Sequence, residues 1–509
     1  MLEEQRPGAG AVADPAVAVG GGAPSAFRDK VTWAIAGAVL CSYLTISLFR
    51  LLTLSPLSWD LGIYTEYVKQ YADLRAPIVD VRGPGFNLIG DHFQPIVALI
   101  APFFRVFPSP ATLLVAQALL TAVSVFPVVQ AGLTLLGPGR GRARAIGLAY
   151  GFSWGLQQMI NFDFHEIAFA VPLLAFSLSA YVRGRWRASA LWALPLVFVK
   201  EDQGFTVAAL GLLMLVTGWR GRNQTRMPGR PGRYYGALLI VWGLAWSVLA
   251  ITVIIPHFNP EHHYYYWKDG GVAGSGGPFS PASLLAQPFH GWAQKLQTSV
   301  LLLLPTVFIA LGSPLALVTL PSMALRFFSV NTSYWGTLWH YNATVMPILF
   351  LAAIEVMGRW QRASPREPAG RLRRHVRMAA VRHGPAMMVA AACVFAFQFP
   401  LSSLWQSSTY QISPHVSAAE AAMAQVPDGA TVQTTLSLLA PLAARTDTFW
   451  IGNPGNPVTE YVVFDGLNSG YSPAPADVPA FIRQLFPHDG YRQVFAAGDV
   501  YVFKRGPSD

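Results

Sequence analysis

The sequence predicts an all-α polytopic membrane protein with a small C-terminal α/β domain. Three observations predict this fold class. Of the 509 residues, 53% are hydrophobic and only 12% are charged, the mean hydropathy is +0.38, and apolar segments of membrane-spanning length recur along the chain. Soluble proteins carry roughly 25% charged residues. The composition therefore excludes a water-soluble enzyme and a disordered protein.

About eleven transmembrane helices are predicted between residues 31 and 404, because a bilayer core needs about 20 apolar residues per helix. The first, Val31–Leu52, follows Arg28 and Lys30 and lacks a small-residue cleavage site, so it is predicted to be an uncleaved anchor. The other spans are predicted at 111–136, 144–161, 166–182, 188–199, 203–218, 234–256, 296–311, 314–329, 341–358 and 384–404.

Basic loops predict the orientation of these spans, since Lys and Arg concentrate on the cytoplasmic side of membrane proteins. With a cytoplasmic N-terminus, the strongly basic loops all fall on that side, at 140–144, 183–187, 219–233 and 359–383. The apolar stretch Gln94–Phe107 is predicted to be interfacial or re-entrant, because a span there would reverse this assignment. The net charge of +10 is thus a topology signal, and no nucleic-acid partner is predicted.

Composition divides the chain into three regions, predicted to form a multi-pass protein of the cell membrane. They are a disordered cytoplasmic leader at 1–30, a transmembrane helical domain at 31–404 with outer-face loops at 53–110 and 257–295, and an extracytoplasmic α/β domain at 405–509. The parity of eleven spans predicts that the last region lies outside. It contains no nucleophile elbow, P-loop or metal-ligand spacing, so an accessory role as a lid or acceptor-binding domain is favoured over independent catalysis.

Turn and capping signals predict the elements of the C-terminal region. Strands are expected at 430–435, 449–452, 460–465, 493–496 and 500–504, and helices at 418–426, 437–444 and 478–486. Ser417 and Asp477 are the expected N-caps of the first and last of these helices.

Polar residues gather at the predicted outer ends of the spans, in five places far apart in the sequence. The candidate catalytic acids are Asp60 and Glu66, directly after the first span. The candidate substrate-binding residues are Asp91, His92, Asp163, His165, Glu166, Lys200, Glu201, Asp202, Arg326, His340 and Tyr341. An ionisable group at membrane depth costs ~2.5–3.5 kcal/mol. Such a concentration of them favours one outward-facing functional pocket.

Each cluster also has a structural interpretation when it is taken alone. Asp60 would only cap the helix that follows it, His165 and Glu166 would form an interfacial hydrogen-bonded pair, and Lys200 with Glu201 would be a structural ion pair. His257, His262 and His263 are candidate metal ligands, although an aromatic belt at the membrane surface explains the neighbouring Tyr and Trp residues. Cys41 and Cys393 lie inside apolar runs, which excludes a disulfide framework and a cysteine metal site.

The motifs and their order resemble those of the bacterial membrane-protein family known as domain of unknown function 2079. The resemblance covers most of residues 55–360. It rests on the segments Asp60–Tyr64, Gly90–Pro95, Phe162–Glu166, Lys200–Asp202 and His340–Tyr341. The layout is similar to that of the GT-C glycosyltransferases, polytopic enzymes that take a sugar from a polyprenyl-phosphate carrier at the outer membrane face.

The resemblance to the GT-C enzymes implies a role for Asp60, because their catalytic acid lies in the first outer loop, directly after the first span. Asp60 would be the general base on an acceptor hydroxyl. Lys200, Arg326 and His340 would stabilise the leaving phosphate. The implied partners are membrane lipid, a lipid-linked sugar donor and a cell-envelope acceptor. Many GT-C enzymes have paired acids in this loop, whereas the next acid here is Glu66, so a divalent metal is compatible with the sequence but not required by it.

Two other function classes remain open from the sequence. A transporter or flippase of a lipid-linked or small polar substrate would also place charges among membrane helices. Transporters, however, tend to bind substrate near the midplane between internal repeats, and no repeat is found here. A sensor or assembly scaffold without catalytic activity would leave the polar clusters without a role.

Overall fold

The protein is described by a computed structural model, which covers residues 25–55, 58–137, 139–220, 229–268, 286–362 and 370–506. These residues are mostly helical and end in a small sheet. Most of the predicted leader, residues 1–24, lies outside the described residues. The α-helices are Lys30–Leu52, Trp59–Ala72, Ala101–Val106, Pro110–Val123, Val125–Leu135, Arg140–Gly151, Trp154–Asn161, Ile167–Val182, Trp186–Ala193, Gln203–Arg220, Gly229–Leu249, Ile255–Phe258, Tyr265–Lys268, Trp292–Leu303, Leu320–Phe328, Val345–Arg362, Arg371–Gln398, Pro414–Met423, Leu439–Ala443 and Val478–Leu485.

Fewer helices of spanning length are found than the eleven that were predicted. In the described part of the chain, five helices are long and apolar enough to cross a membrane: Lys30–Leu52, Pro110–Leu135, Gly232–Phe258, His340–Arg362 and Arg371–Gln398. Four shorter apolar helices accompany them, at Pro95–Val106, Ile167–Val182, Gln203–Thr217 and Pro314–Phe328. The count of eleven is therefore not reproduced.

Local breaks in the backbone explain much of this difference. The predicted span 144–161 is divided into Arg140–Gly151 and Trp154–Asn161. In the predicted span 296–311, the helix ends at Leu303, before Pro305, and Val307 and Phe308 adopt positive φ angles of 50° and 58°. Proline and left-handed residues interrupt the hydrogen-bond ladder of a helix, and a composition count does not detect such interruptions.

Two helices, Gln203–Arg220 and Gly229–Leu249, pack with their backbones in unusually close approach. A Cβ atom on Gly243 would lie 2.3 Å from the carbonyl oxygen of Gly204, and one on Gly236 would lie 2.7 Å from that of Gly211. The Ser247 hydroxyl also donates to the Glu201 carbonyl over 2.6 Å. This helix pair therefore holds the turn at residues 200–202 in place.

We expect Gly243→Ala to destabilise the protein, because a methyl group there meets backbone atoms that cannot move aside. Overpacking of this kind costs about 1–3 kcal/mol, so the midpoint of thermal unfolding in detergent should fall by several degrees. The matched control is Gly37→Ala in the first helix, where an added Cβ has no neighbour within 4 Å. Equal midpoints for the two variants would show that the close approach is not required.

The C-terminal sheet has five strands in the order β2-β1-β3-β5-β4. The strands are β1 Thr431–Thr434, β2 Asp447–Trp450, β3 Tyr461–Asp465, β4 Tyr491–Ala497 and β5 Val500–Arg505. β1 is parallel to β2 and β3, whereas β5 is antiparallel to β3 and β4. All five predicted strands are found within a few residues of their expected positions.

The N-caps of two helices in this region were also predicted. The first helix begins at Pro414 with Ser413 as its N-cap, so the prediction of Ser417 as the cap was wrong. Asp477 caps the helix Val478–Leu485, as predicted.

The C-terminal region packs directly on the helix Trp59–Ala72. A Cβ on Gly62 would lie 2.9 Å from the Leu439 Cβ, which shows how closely the two parts approach. The Lys69 ammonium donates to the Thr446 carbonyl over 2.6 Å, and the Asn453 amide donates to the Val81 carbonyl over 3.0 Å. The helix that carries Asp60 is therefore buttressed by the C-terminal region.

Candidate functional site

Asp60 lies in the first turn of the helix Trp59–Ala72, which Ser58 caps by accepting a hydrogen bond from the Leu61 amide. The Asp60 carboxylate lies 3.9 Å from Nε2 of His165 and retains 32% of its side-chain exposure. The surrounding protein raises the pKa of Asp60 by desolvation, although His165 and Lys200 oppose this effect. A carboxylate with a raised pKa is a stronger base, and this one remains accessible.

Asp163 holds the neighbouring segment in position. Its backbone adopts a positive φ of 68°, and its side chain accepts a hydrogen bond from the Ser58 amide over 2.6 Å and pairs with Arg50 over 3.4 Å. Gln117 donates to the Asp163 carbonyl and accepts from the His165 amide. These bonds fix the backbone of the segment from Asp163 to His165, so Asp163 is a positioning residue in this structure.

Glu166 is fully buried and lies at the centre of a charged cluster. It contacts Nδ1 of His165 at 2.5 Å and the Lys200 ammonium at 3.2 Å, and it accepts a hydrogen bond from the Tyr64 hydroxyl. The buried carboxylate therefore lies between an imidazole and an ammonium group.

Lys200 remains charged in this environment. Burial would lower the pKa of its ammonium, but Glu166, Glu201 and Asp202 raise it above the ordinary value. The side chain keeps 15% of its exposure. The Lys200 ammonium therefore supplies a positive charge to the two cavities that it lines.

His340 has unsatisfied polar atoms in the described structure. Its ring stacks on that of His165 with the centroids 3.5 Å apart, and the residue is only 3% exposed. Both ring nitrogens are buried without a hydrogen-bond partner among the described residues. Since buried polar atoms are normally paired, His340 is available to contact a bound ligand.

A second buried carboxylate, that of Glu201, contacts the segment that carries His92 and the segment that carries Tyr264. It accepts hydrogen bonds from the Phe93 amide and the Tyr264 hydroxyl and contacts Nδ1 of His92 at 2.7 Å. The ring of Tyr266 stacks on His92 with the centroids 4.4 Å apart. Burial opposes a charge on His92, but Glu201 raises the pKa of the imidazole above its ordinary value.

Arg326 is a buried cation that is held by neutral oxygens. Its guanidinium donates to the carbonyls of Tyr334 and Gly336 and to the side chain of Asn342, over 2.9–3.1 Å. Within the described residues it makes no ion pair. Arg326 therefore orders the loop that carries His340 and leaves a positive charge uncompensated at the site.

These side chains line two adjoining cavities of about 130 and 120 Å³. The first also has an apolar part formed by Ile167 and Leu325, and the second contains Asp60. The residues that line both are His92, Lys200, Tyr266, Tyr334, His340 and Tyr341. A cationic and aromatic wall thus separates a cavity that combines apolar and charged side chains from one that contains Asp60.

The structure brings most of the candidate residues to these cavities. Asp91 and His165 line the second cavity, Glu201, Asp202 and Arg326 line the first, and Glu166 lies directly behind them. Asp163 and Glu66 line neither cavity. Glu66 follows Asp60 by six residues on one helix and therefore points about 120° away from it. Its carboxyl is 1% exposed and accepts a hydrogen bond from the Val81 amide.

We expect Glu66 to make the protein less stable as pH rises, because burial raises the pKa of its carboxyl to about 8. Between pH 4.5 and 8 the folded state holds a proton that the unfolded state has lost, so the free energy of unfolding falls. In Glu66→Gln that loss should disappear, which would raise the midpoint of thermal unfolding above the wild-type value by about 3 °C or more at pH 9. The two midpoints should converge at pH 4.5. Parallel pH profiles would contradict this assignment.

Several residues of the site were not predicted from the sequence. Tyr64 and Gln94 share a hydrogen bond of 2.8 Å behind the cluster, Arg50 pairs with Asp163, and Tyr266 and Tyr334 line both cavities. The tyrosines at 264–266 were interpreted as an interfacial belt. Tyr266 lies close in the sequence to three histidines, and this proximity could have indicated a polar site. It could not have indicated the contact of Tyr266 with His92.

In the described residues, no group of three or more His, Cys, Asp and Glu side chains is placed to hold a metal ion. His257, His262 and His263, the candidate ligands, form no such group. His262 and His263 instead contact nearby backbone carbonyls.

The family described as "Predicted membrane protein (DUF2079)" matches residues 50–463 of this chain. The chain belongs to this family, and the predicted resemblance is confirmed. Comparison with curated proteins gave no match.

Solved structures of ArnT from Cupriavidus metallidurans share the fold. The structure bound to undecaprenyl phosphate is 14% identical, covers 95% of this chain and 99% of its own, and gives a TM-score of 0.52. The apo structure is 13% identical, covers 94% and 99%, and gives a TM-score of 0.51. The predicted combination of apolar helices with a small C-terminal sheet is therefore found in a chain that shares the fold of ArnT.

Proposed function

We propose that this member of the DUF2079 family is an integral membrane glycosyltransferase that transfers a sugar from a polyprenyl-phosphate donor. The observation that carries the proposal is the pair of adjoining cavities. Their shared wall contains Lys200 and His340. The first cavity combines the apolar Ile167 and Leu325 with Glu201, Asp202 and Arg326, and the second contains Asp60. A lipid-linked sugar has the same sequence of parts: an apolar chain, a phosphate and a sugar.

The donor fits the cavities in one direction. The phosphate lies at the shared wall, where the Lys200 ammonium and the unpaired nitrogens of His340 supply charge and hydrogen bonds. The lipid chain extends along Ile167 and Leu325, and the sugar enters the chamber of Asp60. Arg326 adds a second positive charge on the lipid side. Charge-assisted hydrogen bonds to phosphate are roughly twice as strong as neutral ones.

The proposed reaction is a displacement at the anomeric carbon. The acceptor hydroxyl attacks that carbon, its proton passes to Asp60, and the bond between the anomeric carbon and the phosphate oxygen breaks. The polyprenyl phosphate leaves with the bonding electron pair, and Lys200 and His340 stabilise its developing charge. Asp91, His92, Glu201, Asp202 and Tyr341 hold the sugar or orient these groups, and His165 and Glu166 position Lys200.

The fold supports the choice of a lipid phosphate, since ArnT has the same fold and one of its structures contains undecaprenyl phosphate. The basic loops of the sequence support a cytoplasmic N-terminus. In that orientation the site and the C-terminal region lie at the outer face of the cytoplasmic membrane, and the acceptor is a component of the cell envelope.

Membrane vesicles that contain the protein test this proposal against the transporter alternative. They are supplied with a polyprenyl-phosphate sugar that is labelled in the sugar. We expect label to appear on an acceptor and polyprenyl phosphate to accumulate. Movement of intact donor across the bilayer without transfer would favour a flippase instead.

A further inference from the structure

Four arginines converge on a cavity of about 850 Å³ at the far end of the membrane helices from the candidate site. Among the described residues, its lining is Gly312, Arg359, Trp360, Arg362, Leu372, Arg373, Val376 and Arg377, and none of these is acidic. The helix Val345–Arg362 begins near His340 and ends at this cavity. At 1.5 Å per residue it is about 27 Å long, so the cavity is distinct from the site described above.

The placement of these charges is unfavourable for the helix that carries them. Arg373 and Arg377 are four residues apart and lie on one face of the helix Arg371–Gln398, where like charges destabilise it. The first turn of this helix contains no acid, and Gly370 provides no side-chain cap. Cations near a helix N-terminus also oppose the helix dipole. The positive-inside rule explains a basic loop but not the convergence of its side chains on one cavity, which indicates an anionic ligand.

The same cavity offers apolar surface next to its charges. Leu372 is 78% exposed and Val376 is 58% exposed, and both line the cavity with the half-buried indole of Trp360. Leu372 and Val376 are four residues apart, so they form a continuous aliphatic strip beside Arg373 and Arg377. A ligand that satisfies both surfaces has an anionic group attached to a hydrocarbon chain.

We propose that this cavity binds the headgroup of an anionic phospholipid. The guanidinium groups of Arg362, Arg373 and Arg377 take the phosphate, for which the planar donor fork of arginine is well suited. The acyl chains lie along Leu372 and Val376. Basic pockets between membrane helices are recognised places for anionic headgroups. Arg359 closes one edge of the cavity by donating to the Gly312 carbonyl.

The test compares two double variants on one helix, Arg373→Gln/Arg377→Gln and Arg371→Gln/Arg374→Gln. Both remove two charges from the same end of the protein, but only the first pair lines the cavity. The purified full chain is given phosphatidylglycerol or phosphatidylcholine in detergent, and bound lipid is counted by native mass spectrometry. Arg371, Arg373 and Arg374 are exposed and Arg377 is half-buried, and circular dichroism checks that both variants are folded.

We expect the wild-type protein and Arg371→Gln/Arg374→Gln to retain phosphatidylglycerol in preference to phosphatidylcholine. Arg373→Gln/Arg377→Gln should retain at least fivefold less. Equal losses in the two folded double variants would overturn the proposal, since they would indicate only a diffuse basic surface. Equal retention of phosphatidylcholine would overturn it too, as would inorganic phosphate that displaces the lipid at equal concentration.

Discussion

Asp60→Asn should reduce sugar transfer by about 100-fold or more, because a general base contributes 10²–10⁴-fold and an amide cannot accept the hydroxyl proton. The substitution keeps the size of the side chain, and among the described residues Asp60 has one potential ion-pair partner, His165, at 3.9 Å. Folding and membrane abundance should therefore be unchanged. Transfer is measured with the purified protein and a labelled polyprenyl-phosphate sugar.

The matched control for this variant is Asp73→Asn. Asp73 is exposed and follows the last residue of the same helix, and it lines neither cavity. Its substitution should leave transfer within about twofold of the wild-type rate, because exposed positions outside such sites tolerate substitution. Full activity of Asp60→Asn, at normal abundance, would remove Asp60 from the reaction.

Lys200→Met should lose both transfer and stability. Methionine has a similar length but no charge, so the phosphate at the shared wall loses its cation. The fully buried Glu166 would also lose a partner at 3.2 Å, and breaking a buried ion pair costs about 3–5 kcal/mol. We expect transfer to fall by at least about 100-fold and the midpoint of thermal unfolding to fall by several degrees.

Two further variants separate the roles of Lys200. Lys200→Arg keeps the charge and should preserve stability better than transfer, because the larger guanidinium occupies the cavity differently. Glu166→Gln removes the partner but leaves Lys200 near Glu201 and Asp202, so the affinity for the donor should change less than in Lys200→Met. A Lys200→Met protein that binds donor with wild-type affinity would show that Lys200 does not contact the phosphate.

The sequence predicted the location of the candidate site better than the roles of its residues. Ionisable groups are costly at membrane depth, and this cost marked Asp60, Lys200 and His340 as candidate site residues. The structure brings all three to one cavity. The same cost marked Asp163 as a candidate substrate-binding residue. In the structure, however, Asp163 pairs with Arg50, which belongs to an apolar span more than 100 residues earlier. Contacts between residues so far apart in the chain cannot be obtained from local patterns.

Glu66 shows a different limit of sequence interpretation. Its position after the first span suggested a second catalytic acid, but the helical rotation from Asp60 turns it toward the Val81 loop. The membrane helices show a similar limit. Hydropathy located the apolar segments, but it did not locate the points where Pro305 and the residues after it interrupt a helix. The C-terminal strands were predicted more accurately because alternation and turn residues mark each of them locally.

The central claim is that one site cleaves a polyprenyl-phosphate sugar with Asp60 as the base. It is tested most directly with the purified protein and a donor labelled separately in its lipid and in its sugar. We predict that labelled polyprenyl phosphate and labelled acceptor appear in equal amounts, and that Asp60→Asn forms neither while it still binds polyprenyl phosphate. A donor that remains intact in the presence of wild-type protein and cell-envelope acceptors would contradict the claim.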